Sequence, residues 1–142
     1  MGTVLIVANQ TLASPTLADA VAERLARGAA VFHVVVPATP VQHLLTWDER
    51  EAEQAARQRL ASVLLRLRDL GATASGEVGC RDPVQAVDDA LRTRNVDEII
   101  LSTLPPGLSR WLRQDVPSRL RGSTHLKVTV VTASREPAMS QR

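Results

Sequence analysis

Hydroxyl, thiol, imidazole and carboxylate groups are the parts of most catalytic sites, and this chain sets few of them in a working pattern. Ser14, Ser102, Thr103 and Ser109 could each act as a nucleophile. None lies in a Gly-x-Ser-x-Gly turn, which would present a serine to a base at the top of a sheet. Cys80 beside Arg81 could be a redox thiol. As the one cysteine of the chain, it has no internal resolving partner and forms no internal disulfide. A small loop or core residue is the better reading. His33 lies in an apolar run and reads as a packed, hydrogen-bonded core histidine. His43 and His125 are scattered, without the spacing of a metal-ligand set. Ser14 and Asp82 each precede a proline, so both read as helix caps rather than as nucleophile or base. Arg110, Arg113, Arg119 and Arg121 make a basic side, read first as a solvated face and second as an anion- or protein-contact surface. Without a paired acid and base, the chain is expected not to be an enzyme.

The elements that would position these groups follow from apolar patterning. Val4 to Ala8 is a short β-branched run. Ser14-Pro15 then opens a helix with Leu17, Val21 and Leu25 at helical spacing, stopped by Gly28. Ala30 to Val36 is a second run, apolar except for His33, as expected of a strand covered on both faces. A long helix from about Trp47 to Leu70 buries Ala52, Ala56, Leu60, Val63, Leu64 and Leu67, and Gly71 ends it. The third strand, about Ala72 to Val78, is the least apolar and so belongs nearer an edge. Asp82-Pro83 starts another helix, and Ile99 to Ser102 forms the fourth strand. A short helical turn over Leu108 to Arg113 precedes a further helix, from Asp115-Val116-Pro117 to about Arg121. Leu126 to Val131 is the last strand, and the chain is polar beyond it. Trp111, with Leu108 and Leu112 at helical spacing, favours core packing.

Strict β-α alternation with buried strands predicts an α/β fold: a single domain built on a doubly wound, five-stranded parallel sheet, Rossmann-like, over residues 1–132, with a polar tail at 133–142. Ligands of such sheets bind beyond the carboxyl ends of the strands where the winding reverses. Here that crevice would lie between the loops Asn9 to Ser14 and Thr103 to Leu108.

Composition narrows the partners. The 142 residues suit one domain. Aromatic residues make up only 2%, so the core must be Val, Leu, Ile and Ala. The 17 basic residues are scattered among 15 acidic ones and form no continuous block, and one Phe, two Trp and no Tyr make no base-stacking platform, so nucleic-acid binding is not expected. No stretch is long and apolar enough to span a bilayer, and the first strand begins without a basic leader region. A cytoplasmic protein is the expectation.

Several segments together resemble the universal stress protein family, within the adenine-nucleotide alpha-hydrolase-like superfamily. Val4-Leu5-Ile6-Val7-Ala8-Asn9 is similar to its opening strand and His33-Val34-Val35-Val36-Pro37 to its second. Gly79-Cys80-Arg81-Asp82-Pro83 is similar to its Gly-Asp-Pro turn. Asp97-Glu98-Ile99-Ile100-Leu101-Ser102-Thr103 is similar to its fourth strand, and Gly107-Leu108-Ser109-Arg110-Trp111-Leu112 to the segment after it. The resemblance covers about residues 3–131. It implies a crevice at Asn9, Val36, Thr103, Gly107 and Asp115, and a homodimer paired through the final strand, Leu126 to Val131.

The departures bear on function. The family's ATP-binding members carry Gly-x2-Gly-x9-Gly-Ser/Thr after strand four, where bare amides cradle phosphate at a helix start. Here the first glycine is matched by Ser102, the second by about Pro105, and the last Gly-Ser pair by Gln114-Asp115. Proline removes a donor. Asp115, expected to cap the following helix, adds a like charge that costs about 1 kcal/mol or more beside a phosphate. The family's acidic residue at the end of strand one is matched by Asn9. The reading is therefore a stress-response or regulatory protein without ATP or another cofactor, acting through dimerisation and contacts with an unidentified protein, with room for a small ligand other than ATP. The alternatives are a nucleotide-binding member with a modified phosphate loop, and a hydrolase or transferase of the wider superfamily.

Overall fold

The computed structural model describes residues 2–9, 11, 14–38, 49–105 and 108–133. Its elements run β1 (Gly2–Val7), α1 (Pro15–Ala26), β2 (Ala30–Pro37), α2 (Glu49–Asp69), β3 (Thr73–Gly79), α3 (Pro83–Thr93), β4 (Glu98–Thr103), α4 (Arg110–Arg113), α5 (Val116–Ser123) and β5 (Lys127–Thr132). The strands form one parallel sheet of five in the order β3-β2-β1-β4-β5. The expected doubly wound α/β architecture is what the chain adopts.

Helices cover both faces because the central strands are apolar on both sides through most of their length, His33 of β2 and the polar residues at the strand ends excepted. In β1, Val4 and Ile6, with Ala8 beyond them, point to one face. There they meet Leu17 and Val21 of α1 and Ala56, Val63 and Leu67 of α2. Leu5 and Val7 point to the other, against Ala86, Val87 and Ala90 of α3, Trp111 of α4, and Val116 and Leu120 of α5. A strand flanked on both sides has no polar face to offer. Trp111 is buried, as its helical neighbours predicted. The least apolar strand, β3, is an edge, also as its composition predicted, and β5 is the other.

The caps act as the sequence indicated at two helices. The hydroxyl of Ser14 accepts from the Thr16 amide and the carboxylate of Asp82 from the Val84 amide, each with proline in the first turn. Gly71, at φ 89°, turns the chain from α2 into β3 in the left-handed region that glycine enters without steric cost. At the amino end of β4 a half-buried ion pair, Arg24 to Glu98 at 2.7 Å, ties the last turn of α1 to the sheet. The predicted helix start at Trp47 and all of the tail beyond Ala133 lie outside the described residues. Ala133 itself extends the β5 pairing, donating its amide to the Thr103 carbonyl at 2.8 Å.

Gly76 sets how closely α2 approaches the edge strand. A Cβ there would lie 2.5 Å from Leu60 Cδ1 and 2.9 Å from the Val34 carbonyl oxygen. The side chain of Leu60 can give way, but the backbone oxygen cannot. Gly76→Ala should therefore lower unfolding stability by about 1–3 kcal/mol, the usual cost of overpacking, as a shift of the urea midpoint at unchanged slope. An unchanged midpoint would show that helix and strand separate freely here.

Candidate functional site

The winding reverses between β1 and β4, so the crevice lies beyond their carboxyl ends, bordered by the chain after each strand. Five polar residues are buried there: Asn9, Thr11, Ser102, Thr103 and Ser109. In an otherwise apolar centre they need partners, since an unpaired buried polar group costs about 1–3 kcal/mol.

They find those partners within the protein. Asn9, 5% exposed, donates through Nδ2 to the Pro37 carbonyl at 2.7 Å and accepts from Nη1 of Arg59 on α2. Its amide is thus engaged at both ends. The hydroxyls of Thr11 and Ser102 lie 2.6 Å apart, and Thr11 Oγ1 is also 3.2 Å from the Ser102 carbonyl oxygen. This bridge joins the β1 side of the crevice to the β4 side at the position of the family's first glycine. Thr103 Oγ1 donates to the Leu104 carbonyl at 3.0 Å. Ser109 accepts from the Leu112 amide at 3.0 Å and caps the short α4. The Leu108 and Ser109 amides both donate to the Pro105 carbonyl, at 3.0 and 3.1 Å.

The residues expected to line the crevice take different places. Asn9 and Thr103 stand at the ends of β1 and β4. Val36 is fully buried in the core beneath α1 and α2, so its side chain is a packing group. Gly107 lies outside the described residues. Asp115 is exposed at the start of α5 but does not cap it: its side chain makes no capping bond. The expectation of a carboxylate cap is corrected here, for two reasons. Asp115 is left-handed at φ 55°, ψ 43°, whereas a capping side chain is delivered from an extended backbone. Pro117, second in the helix, has no amide to be capped.

Sequence reasoning did not single out Arg59, or Thr11 as the partner of Ser102. Arg59 had a legible signal: it falls between Ala56 and Val63 at helical spacing, on the rim of the buried stripe. Thr11 had none, because its pairing spans 91 residues.

The remaining candidates are structural or exposed. Cys80 is an exposed thiol, its Sγ 3.5 Å from the Asp82 carbonyl oxygen. Of the basic side, Arg119 lies 3.5 Å from Asp82, and Arg121 donates to the Val128 carbonyl of β5 at 2.9 Å. His33 is 2% exposed and hydrogen-bonded through both ring nitrogens, as a packed histidine should be. Among the described residues, no cluster of His, Cys, Asp and Glu could hold a metal ion, and no helix is long and apolar enough to cross a membrane.

No protein-family model matches the sequence, and no curated protein does. Solved structures do match. The universal stress protein from Archaeoglobus fulgidus superposes with a TM-score of 0.60 at 15% identity, over 92% of this chain and 93% of that one. Its complex with dAMP gives 0.58 at 17% identity, over 92% and 97%. A universal stress protein family member from Burkholderia pseudomallei gives 0.55 at 16% identity, over 91% and 94%. At these identities the likeness is one of architecture, and it is consistent across all three: this chain has the universal stress protein fold, as its order of segments led us to expect.

Proposed function

We propose that this chain is a non-enzymatic regulatory protein of the stress response that acts as a homodimer in the cytoplasm and does not use ATP. The observation that carries the ATP part of this reading is the internal pairing of the crevice. Thr11 bridges to Ser102, Arg59 occupies Asn9, and the Pro105 carbonyl takes the Leu108 and Ser109 amides. A phosphate cradle needs amides that point outward at a helix start. Here two amides near it are spent, Pro117 contributes none, and Asp115 brings an exposed negative charge. A triphosphate would have to break these bonds without equivalent replacements. The lack of an acid-base pair among the buried crevice residues supports a non-catalytic role. A single cysteine suits a reducing compartment.

Dimerisation is supported by β5. It is an edge strand with partly buried Thr129, Val130 and Val131, and an apolar edge calls for cover or pairing. An unidentified protein partner would then be met by the dimer.

A second reading has a specific observation behind it. The Archaeoglobus protein was solved with dAMP, and Arg59 places a guanidinium in this crevice that could turn to an anion. Thermal-shift titration separates the two. A ligand at a hundred times its Kd stabilises by about 2.7 kcal/mol through mass action, which a melting curve resolves easily. With ATP, ADP, AMP and dAMP at millimolar concentration we expect no shift, and ATP should remain unhydrolysed. A saturable rise with any of the four would replace the first reading by the second. Sedimentation velocity should give twice the 15.4 kDa chain mass; a monomer at every concentration would remove the dimer.

A further inference from the structure

At the opposite end of the sheet, beneath the carboxyl end of α3, is a groove of about 330 Å³ lined by Thr3, His33, Thr73, Ser75, Arg94 and Asn95, with Val31 beside them. We propose that it binds a small hydroxylated carboxylate, a hydroxy acid or sugar acid, at a site separate from the crevice. Its volume is at the low end of ligand pockets, about 300–1,000 Å³.

The case begins with His33. It occupies a β2 position whose same-face neighbour Val35 is a fully buried core residue, yet it is a histidine held at 2% exposure. Its Nδ1 lies 2.9 Å from Ser75 Oγ and its Nε2 lies 2.8 Å from Glu77 Oε2, both on the adjacent edge strand. Tying β3 to β2 does not need such a network, since an apolar pair would serve at lower desolvation cost. A departure from the local packing rule marks a place where function is expected.

The network also sets what the groove presents. Ser75 Oγ is held by the His33 ring, and whichever of the two atoms donates, its oxygen keeps at least one lone pair to accept from a ligand hydroxyl. Arg94 supplies the complementary donor. It follows the last turn of α3 in extended conformation, is exposed, and has no carboxylate partner among the described residues. Arg94 is the one guanidinium of the lining, and the two carboxylates that reach lining residues are both engaged, Asp97 by the Thr3 amide at 2.7 Å and Glu77 by His33 at 2.8 Å. A fixed acceptor together with a free planar cation matches a molecule that carries both hydroxyls and a carboxylate.

The test is an amide-resolved NMR titration of the full chain with sodium gluconate and, in parallel, with sorbitol, its uncharged counterpart. Gluconate should move the Thr73, Ser75, Arg94 and Asn95 cross-peaks saturably, and sorbitol should bind roughly tenfold more weakly, for want of the charge-assisted bonds to Arg94. Arg94→Gln should bring gluconate down to the level of sorbitol at an unchanged melting temperature. Ser75→Ala should weaken both ligands alike. Groove cross-peaks that stay in place, equal affinity for the two probes, or gluconate binding that survives Arg94→Gln would each overturn the proposal. Shifts confined to Asn9 and Thr11 would do so as well, by placing the ligand in the crevice.

Discussion

A parallel sheet with helices on both faces admits buried polar groups only where they are fully hydrogen-bonded, and that constraint, which leaves His33 as the one polar side chain buried within the middle of a described strand, organises this molecule. β1 is apolar on both sides from Val4 to Val7, with fully buried side chains throughout. Polarity therefore begins where the strand stops, at Asn9 and Thr11, and likewise in β4 at Ser102 and Thr103. Chemistry can happen only at the two rims of the sheet, and each rim resolves its buried polar groups in its own way.

The carboxyl rim closes on itself. Where a related fold leaves glycine amides bare, this chain places side chains that bond to one another across the winding reversal. The Thr11–Ser102 bridge and the Arg59–Asn9 contact satisfy buried atoms and so stabilise the protein. The same bonds leave fewer groups for a ligand. The left-handed Asp115 makes a related point. The backbone keeps a turn that glycine would occupy most easily, while the side chain adds charge without capping the helix.

The amino rim is left more open. α3 ends at Thr93 and exposes the β2–β3 seam, where a buried histidine is held by two residues of an edge strand. Both edges of the sheet also receive an arginine from a neighbouring helix. Arg68 donates to the Ala74 carbonyl of β3 and Arg121 to the Val128 carbonyl of β5. Guanidinium groups placed there moderate the tendency of bare strand edges to pair without control.

Fold class, strand order of polarity and two of the helix caps were legible in the residues because each is local. Short β-branched apolar runs between helical patterns read as strands covered on both faces, and Ser14-Pro15 and Asp82-Pro83 carry their capping geometry within a few positions. The edge placement of β3 could be read from its composition for the same reason. The crevice was legible only as a location. That Asn9 would be claimed by Arg59, that Thr11 would reach Ser102, and that Asp115 would turn left-handed all depend on segments brought together by the sheet. Sequence spacing could place Arg59 on the rim of a buried stripe but could not name its partner, because the energy that decides such contacts comes from burial and from which group lies within hydrogen-bond reach once the chain has folded.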